Sequence, residues 1–166
     1  MAIRDILLLG NPRLYEISEA VHKSDLKDLP AVVEDLHDTL KEFRRKYGAG
    51  RAIAACQIGF PKRLIYMFID KPMVFINPSL ENRSEAMIEV WDDCMCFPDL
   101  LVKVRRHKSC TIRFKDLGFK EHAMNLEDDL SELLQHEYDH LDGILAVSRA
   151  MDGRSFALRR QLKPTG

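Results

Sequence analysis

The spacing of apolar positions changes twice along this chain. Between Pro30 and Tyr47, Val33, Leu36, Leu40, Phe43 and Tyr47 recur at intervals of three and four, the period of one face of a helix. Pro30 suits the first turn and Gly48 the stop, so an N-terminal helix with one face on a sheet is expected here. From about Leu64 to Phe114 the pattern shortens. LIYMFI, MVFI, MIEVW, LLVKV and CTIRF are short runs rich in β-branched and aromatic residues, punctuated by Asp70 to Pro72, Asn77-Pro78 and Pro98-Asp99. They predict several antiparallel strands. A last helix is expected from about Asn125, whose side chain would cap it together with Asp128. Leu130, Leu133, Leu134 and Leu141 make this helix apolar on more than one side, which predicts burial. The pattern as a whole reads as an α+β fold, with antiparallel strands packed around a central C-terminal helix.

Composition narrows this picture. With 166 residues, 46% of them apolar and a net charge of −1, residues 1–166 are expected to form one domain with its own core. Neither a DNA-binding protein nor a disordered one has this balance. Cys56, Cys94, Cys96 and Cys110 are too few and too irregularly spaced for a disulfide framework. The first apolar run, Ile6 to Leu9, is shorter than a signal-peptide core and far too short for a bilayer. A soluble cytoplasmic protein without a membrane segment is expected.

The expected last helix carries QHEYDHLDG, with His136, Glu137 and His140 in the pattern H-E-x-x-H. Residues four apart share a helix face, so both imidazoles can address one metal ion while Glu137 reaches a water on it. The motif alone fixes only three positions and also occurs on amphipathic helices that bind nothing. A catalytic site of this kind generally has three protein ligands, so a third must be found. Downstream continuations fail. Gly143 fits the longer H-E-x-x-H-x-x-G-x-x-H motif, but Ala146 stands where its last His belongs, and no Glu follows Glu137. The third ligand therefore lies upstream, or there is no site.

The upstream candidates are His22, His37, His107, His122 and the four cysteines. His37 is expected on the solvent side of the first helix, and His107 and His122 in charged, turn-like stretches at the surface. Cys110 opens an apolar strand and reads as a core residue; Cys56 sits in a small-residue segment before Gln57. Cys94 and Cys96 differ from these, because WDDCMCFPDL is a polar break from which a thiolate can reach a neighbouring helix. A thiolate with two imidazoles suits Zn²⁺ or Fe²⁺. Spacing does not choose between the two cysteines, which fall on the same side of an extended chain.

Taken together these blocks resemble the peptide deformylase family. Gln135 through His140 match its Gln-His-Glu-x-Asp-His block, and Asp92-Asp93-Cys94-Met95-Cys96 aligns with its Glu-Gly-Cys-Leu-Ser block. Gly50, Ala54, Ala55 and Gln57 match its Gly-rich segment ending in Ala-Ala-x-Gln, and Asn11-Pro12-Arg13-Leu14 and Ile76-Asn77-Pro78 agree further. The resemblance implies removal of the formyl group from formyl-methionine at the start of nascent polypeptides. It implies Cys94, His136 and His140 as ligands of one divalent metal, Fe²⁺ in the cell with Zn²⁺ or Ni²⁺ accepted. Glu137 would be the general base and acid. The Gln57 amide and the Met95 backbone N–H would meet the oxyanion. Gly50, Arg51, Ala52, Ile53 and Leu133 would form the peptide groove and methionine pocket.

Departures from the family pattern cluster at the same place. Arg51 is a charge where an apolar residue is usual, and Ala52 and Asp93 stand for glycines. Asp92 stands for Glu, Cys96 for Ser, and Asp128 and Asp129 for a Gly and an apolar residue. If Asp93 occupies a backbone position of positive φ, Asp is among the cheaper replacements. Its charge would make a bound water less acidic unless a cation such as Arg106 offsets it. Asp129 would make the methionine pocket less apolar if it lines it, or would lie exposed in the first helical turn. These changes leave open a deformylase-like protein acting on another N-acyl group, or a relative that binds peptides without turnover. The basic stretch Arg159-Arg160-Gln161-Leu162-Lys163 suggests a contact with the ribosome.

Overall fold

The computed structural model describes residues 2–162. Helix α1 (Leu29–Tyr47) carries proline in its first turn and stops at Gly48, whose φ of 70° supplies the left-handed residue that ends a helix. It is followed by β1 (Ala52–Ala54), β2 (Leu64–Phe68), β3 (Pro72–Glu81), β4 (Met87–Asp92), β5 (Leu100–His107), β6 (Ser109–Lys115) and β7 (Glu121–Glu127). Helix α2 (Asp128–Leu141), β8 (Phe156–Leu158) and a single turn, α3 (Arg159–Leu162), complete the order. The five expected strands are present. The short β1 and β8 and the polar β7 were not legible as strands.

Two antiparallel sheets result. One runs β1-β2-β3-β6-β7 and the other β4-β5-β8. Strand alternation divides the larger sheet's side chains between two partners. Ile53, Leu64, Tyr66 and Ile76 pack with Leu29, Leu36 and Leu40 of α1. Ala52, Ala54, Ile65, Phe75, Ile112 and Phe114 face the other way, against Leu133, Leu134 and Leu141 of α2. The alanines of β1 matter here, because small side chains let α2 approach the strand closely. Cys94, Cys96 and Phe97 of the loop after β4 join Val102 and Val104 of β5 in a third cluster. The motif helix is thus buried among strands, as its apolar pattern predicts.

Its start differs from expectation. Asn125 lies inside β7, opposite Thr111 of β6, and accepts a hydrogen bond from that hydroxyl at 3.0 Å instead of capping a helix. Strand pairing continues to Glu127, and α2 begins only at Asp128, with φ at +50°. The Asp that replaces a family Gly therefore occupies a left-handed position, one that Asp tolerates better than most residues. Asp93, by contrast, does not have a positive φ.

Just past the end of α2, Gly143 has a φ of 73°, and an added Cβ there would collide with the carbonyl oxygen of Tyr15. The glycine after H-E-x-x-H-L-D thus closes the helix against the N-terminal segment. Among the described residues no helix is long and apolar enough to cross a membrane.

Candidate metal centre and active site

His136 and His140 stand one turn apart on α2 and bring their Nε2 atoms to 3.2 Å. Cys94 Sγ lies 3.3 Å from His140 Nε2. The three donor atoms fall within 4.8 Å of one another, and all three residues are buried. A tetrahedral ion with bonds of about 2.05 Å to nitrogen and 2.3 Å to sulfur would space such donors by roughly 3.3 to 3.5 Å, so the set fits. His140 Nδ1 and Glu137 Oε1 are buried and have no hydrogen-bond partner among the described residues. A buried carboxylate oxygen without a donor fits a site that receives a water or a substrate.

The strand before the loop positions Cys94. Pairing of β4 with β5 runs to Asp92 opposite Val102, and the chain then turns, with Phe97 N–H donating to the Cys94 carbonyl at 3.0 Å. The N-terminal segment braces this loop through Leu9 N–H and the Cys96 carbonyl. Cys94 Sγ joins the imidazoles, while Cys96 Sγ faces Gln57 Nε2 at 3.3 Å. Gln57 is oriented by the Ala54 N–H, which donates to its Oε1 at 2.8 Å and leaves the NH₂ group facing the loop thiols.

The electrostatics are those of a buried, crowded site. Burial pushes Glu137 up to about 7, near the pH at which a general base works best. Burial opposes charge on His136, but Asp92 outweighs it and holds the ring near 9. His140 is driven well below the usual imidazole range by burial and by His136. Burial pushes the Cys94 thiol well above its ordinary value.

Asp92, which the sequence puts in the Cys94 block without showing a role, is a member of the site. Its Oδ2 lies 2.9 Å from His136 Nδ1 and accepts from Arg106 Nη2 at the same distance. Arg106 also donates to Asp139 at 2.8 Å. A signal did exist for both. Asp92 shares the inward phase of β4 with Ile88 and Val90, and Arg106 shares that of β5 with Val102 and Val104. Charges at inward strand positions need partners. Contrary to expectation, Arg106 does not offset Asp93; Arg159 does, donating to Asp93 Oδ2 at 2.9 Å and to the Pro98 carbonyl at 3.0 Å.

A cavity of about 330 Å³ opens beside the donors. Gly50, Arg51, Ala52, Gln57, Met95, Leu133 and Glu137 line it, together with Cys94, His136 and a residue not singled out from the sequence, Glu132. Ile53 is fully buried on the α1 side of β1 and does not line it. Asp129 is exposed in the first turn of α2, away from the cavity. Among the rejected ligand candidates, His37 is half-buried instead of solvent-facing, with Nδ1 2.6 Å from the Tyr66 hydroxyl. His107 is also half-buried, with Nδ1 2.8 Å from the Ser84 carbonyl; His122 is exposed, as expected.

Residues 3–155 match the family model for polypeptide deformylase. The peptide deformylase of Erythrobacter litoralis is 32% identical over 89% of each chain. That of Pseudothermotoga lettingae is 33% identical over 96% of this chain and 90% of its own. Among solved structures, peptide deformylase from Thermotoga maritima superposes with a TM-score of 0.84 at 25% identity, over 92% of this chain and 100% of that one. A peptide deformylase from Legionella pneumophila gives 0.82 at 32% identity, over 89% and 86%. Fold, donor set and sequence agree, and the chain belongs to the peptide deformylase family.

Proposed function

We propose that this protein removes the formyl group from the N-terminal formyl-methionine of nascent polypeptides, with Cys94, His136 and His140 holding one divalent metal ion. The observation that carries the reading is the convergence of those three donors beside a buried Glu137 whose Oε1 has no partner among the described residues. A divalent ion in that position supplies Lewis acidity toward a water and toward the formyl carbonyl. Fe²⁺ is the proposed ion in the cell, with Zn²⁺ or Ni²⁺ as substitutes, since a donor set of one thiolate and two imidazoles accepts all three.

The chain's own residues do the rest. Glu137 Oε1 takes a proton from the attacking water as its oxygen bonds to the formyl carbon. As the C–N bond breaks, the same carboxyl returns the proton to the amine nitrogen, leaving formate and a free N-terminus. Gln57 Nε2, with its amide held by the Ala54 N–H, and the Met95 N–H would donate to the oxygen that becomes negative. Asp92 fixes the orientation of His136 through Nδ1, so that Nε2 faces the ion. Gly50, Arg51, Ala52 and Leu133 line the space for the peptide.

Substrates of this kind arise where ribosomes begin chains with formyl-methionine, which places the work in the cytoplasm. The basic C-terminal stretch offers the ribosome less than its sequence suggests. Arg159 is taken up by Asp93 and Pro98, and Lys163 lies outside the described residues. Formate release from a formyl-methionine tripeptide by Fe²⁺-loaded protein tests the proposal. Loss of that release in Glu137→Gln with metal content retained is expected, and release unaffected by the substitution would contradict it.

A further inference from the structure

One wall of the cavity takes no part in the hydrolytic chemistry. Glu132 lies one turn before His136 on α2 and accepts a hydrogen bond at 2.9 Å from Nη2 of Arg51, which precedes β1. The Glu132 side chain is 12% exposed and that of Arg51 42%, so the carboxylate forms the inner wall and the guanidinium reaches over it from the mouth. Among the described residues that line this cavity, Arg51 is the only lysine or arginine.

The position of the pair relative to the chemistry sets what it can touch. A helical turn advances by ~5.4 Å. A side chain of methionine's length ends about 6–7 Å from the nitrogen that carries the formyl group. With the formyl group held at His136 and Glu137, a first side chain of that length can reach the part of the cavity wall formed by Glu132 and Arg51. A methyl thioether there strips water from two charges and returns no hydrogen bond. A terminal carboxamide can accept from Arg51 and donate to Glu132, and a sulfoxide oxygen can accept from Arg51.

We infer that Arg51 and Glu132 are the specificity-determining pair of this deformylase, favouring formyl-peptides whose first side chain has methionine's length but ends in a hydrogen-bonding oxygen. The inference rests on the proposed reading of the cavity as the site of deformylation. Glutamine and oxidised methionine share that chemistry.

The test compares kcat/KM for formate release from three formyl-tripeptides that differ only in their first residue: methionine, methionine sulfoxide or glutamine. The metal-loaded protein is compared with Arg51→Leu/Glu132→Leu and with the swapped pair Arg51→Glu/Glu132→Arg. The unmodified protein is expected to favour one or both polar peptides over methionine. The leucine pair should shift the ratio toward methionine by about tenfold or more. The swapped pair should keep a polar preference, which a purely structural clasp would have no reason to do and which guards against misfolding of the leucine variant. A gain for glutamine alone would assign the amide contact to both residues; a gain for both polar peptides would assign the acceptor contact to Arg51. A preference for methionine in the unmodified protein, or a ratio unmoved by the leucine pair, would overturn the inference while leaving the site intact. No formate from any of the peptides would overturn both the site reading and this inference.

Discussion

His136 turns its Nδ1 to the Asp92 carboxylate at 2.9 Å, which leaves Nε2 toward Cys94 and His140. Asp92 is itself held by Arg106, and Arg106 by Asp139, so the orientation of one metal-facing ring is fixed by a chain of buried charges.

Removing the carboxylate should loosen the ring without removing a donor. Asp92→Asn is expected to lower metal affinity by about 10- to 100-fold, as losses of such supporting partners do. Competition with a chelator of known affinity measures this. An unchanged affinity would mean that packing alone orients His136.

Metal uptake should be visible as proton release. At pH 7 in the metal-free chain, His136 is protonated because Asp92 holds it near 9, and Cys94 is a thiol because burial raises it. His140 is already neutral. Loading a divalent ion at pH 7 should therefore displace about two protons per chain. Isothermal titration in buffers of different ionisation heat counts them, and release of fewer than about one would contradict this charge assignment.

The His136 shift also gives metal-free protein a sign of pH dependence. The folded value, near 9, lies above the ordinary 6.5, so the stabilisation is complete below 6.5 and is lost as pH rises through 9. Urea unfolding of chelator-treated protein should show stability falling across that window. Asp92→Asn should flatten the slope.

Arg106 is 3% exposed and pairs with two carboxylates. Arg106→Ala breaks both pairs and leaves Asp139 with Arg149 and Asp92 with His136, so the cost should fall at the low end for broken buried pairs, about 3 kcal/mol of stability. Denaturant unfolding measures it, and a loss below about 1 kcal/mol would mean that His136 and Arg149 suffice for the two carboxylates.

Much of the fold and of the donor set was legible before any coordinates. The three-and-four spacing of Val33 through Tyr47 and the alternating runs of β2 to β6 are strong signals because each buries one continuous face. The short β1 and the polar β7 carry little such signal, which is why Asn125 reads as a cap when it is a strand residue facing Thr111. The H-E-x-x-H spacing places two donors by helix geometry alone. Spacing left Cys94 and Cys96 equal; the turn after Asp92 brings Cys94 to the imidazoles and turns Cys96 to Gln57. Partnerships across the chain were the least legible. Asp93 meets Arg159, and Arg51 meets Glu132, over separations of 66 and 81 residues that no local pattern encodes.

The most direct test of the account is formate release from a formyl-methionine tripeptide by anaerobically prepared, Fe²⁺-loaded protein, beside Glu137→Ala shown to hold the same metal. The account predicts turnover in the first and a loss of at least about a hundredfold in the second. Equal release by both proteins would contradict the role given to Glu137. No release by either, with one ion bound per chain, would contradict deformylation at this site.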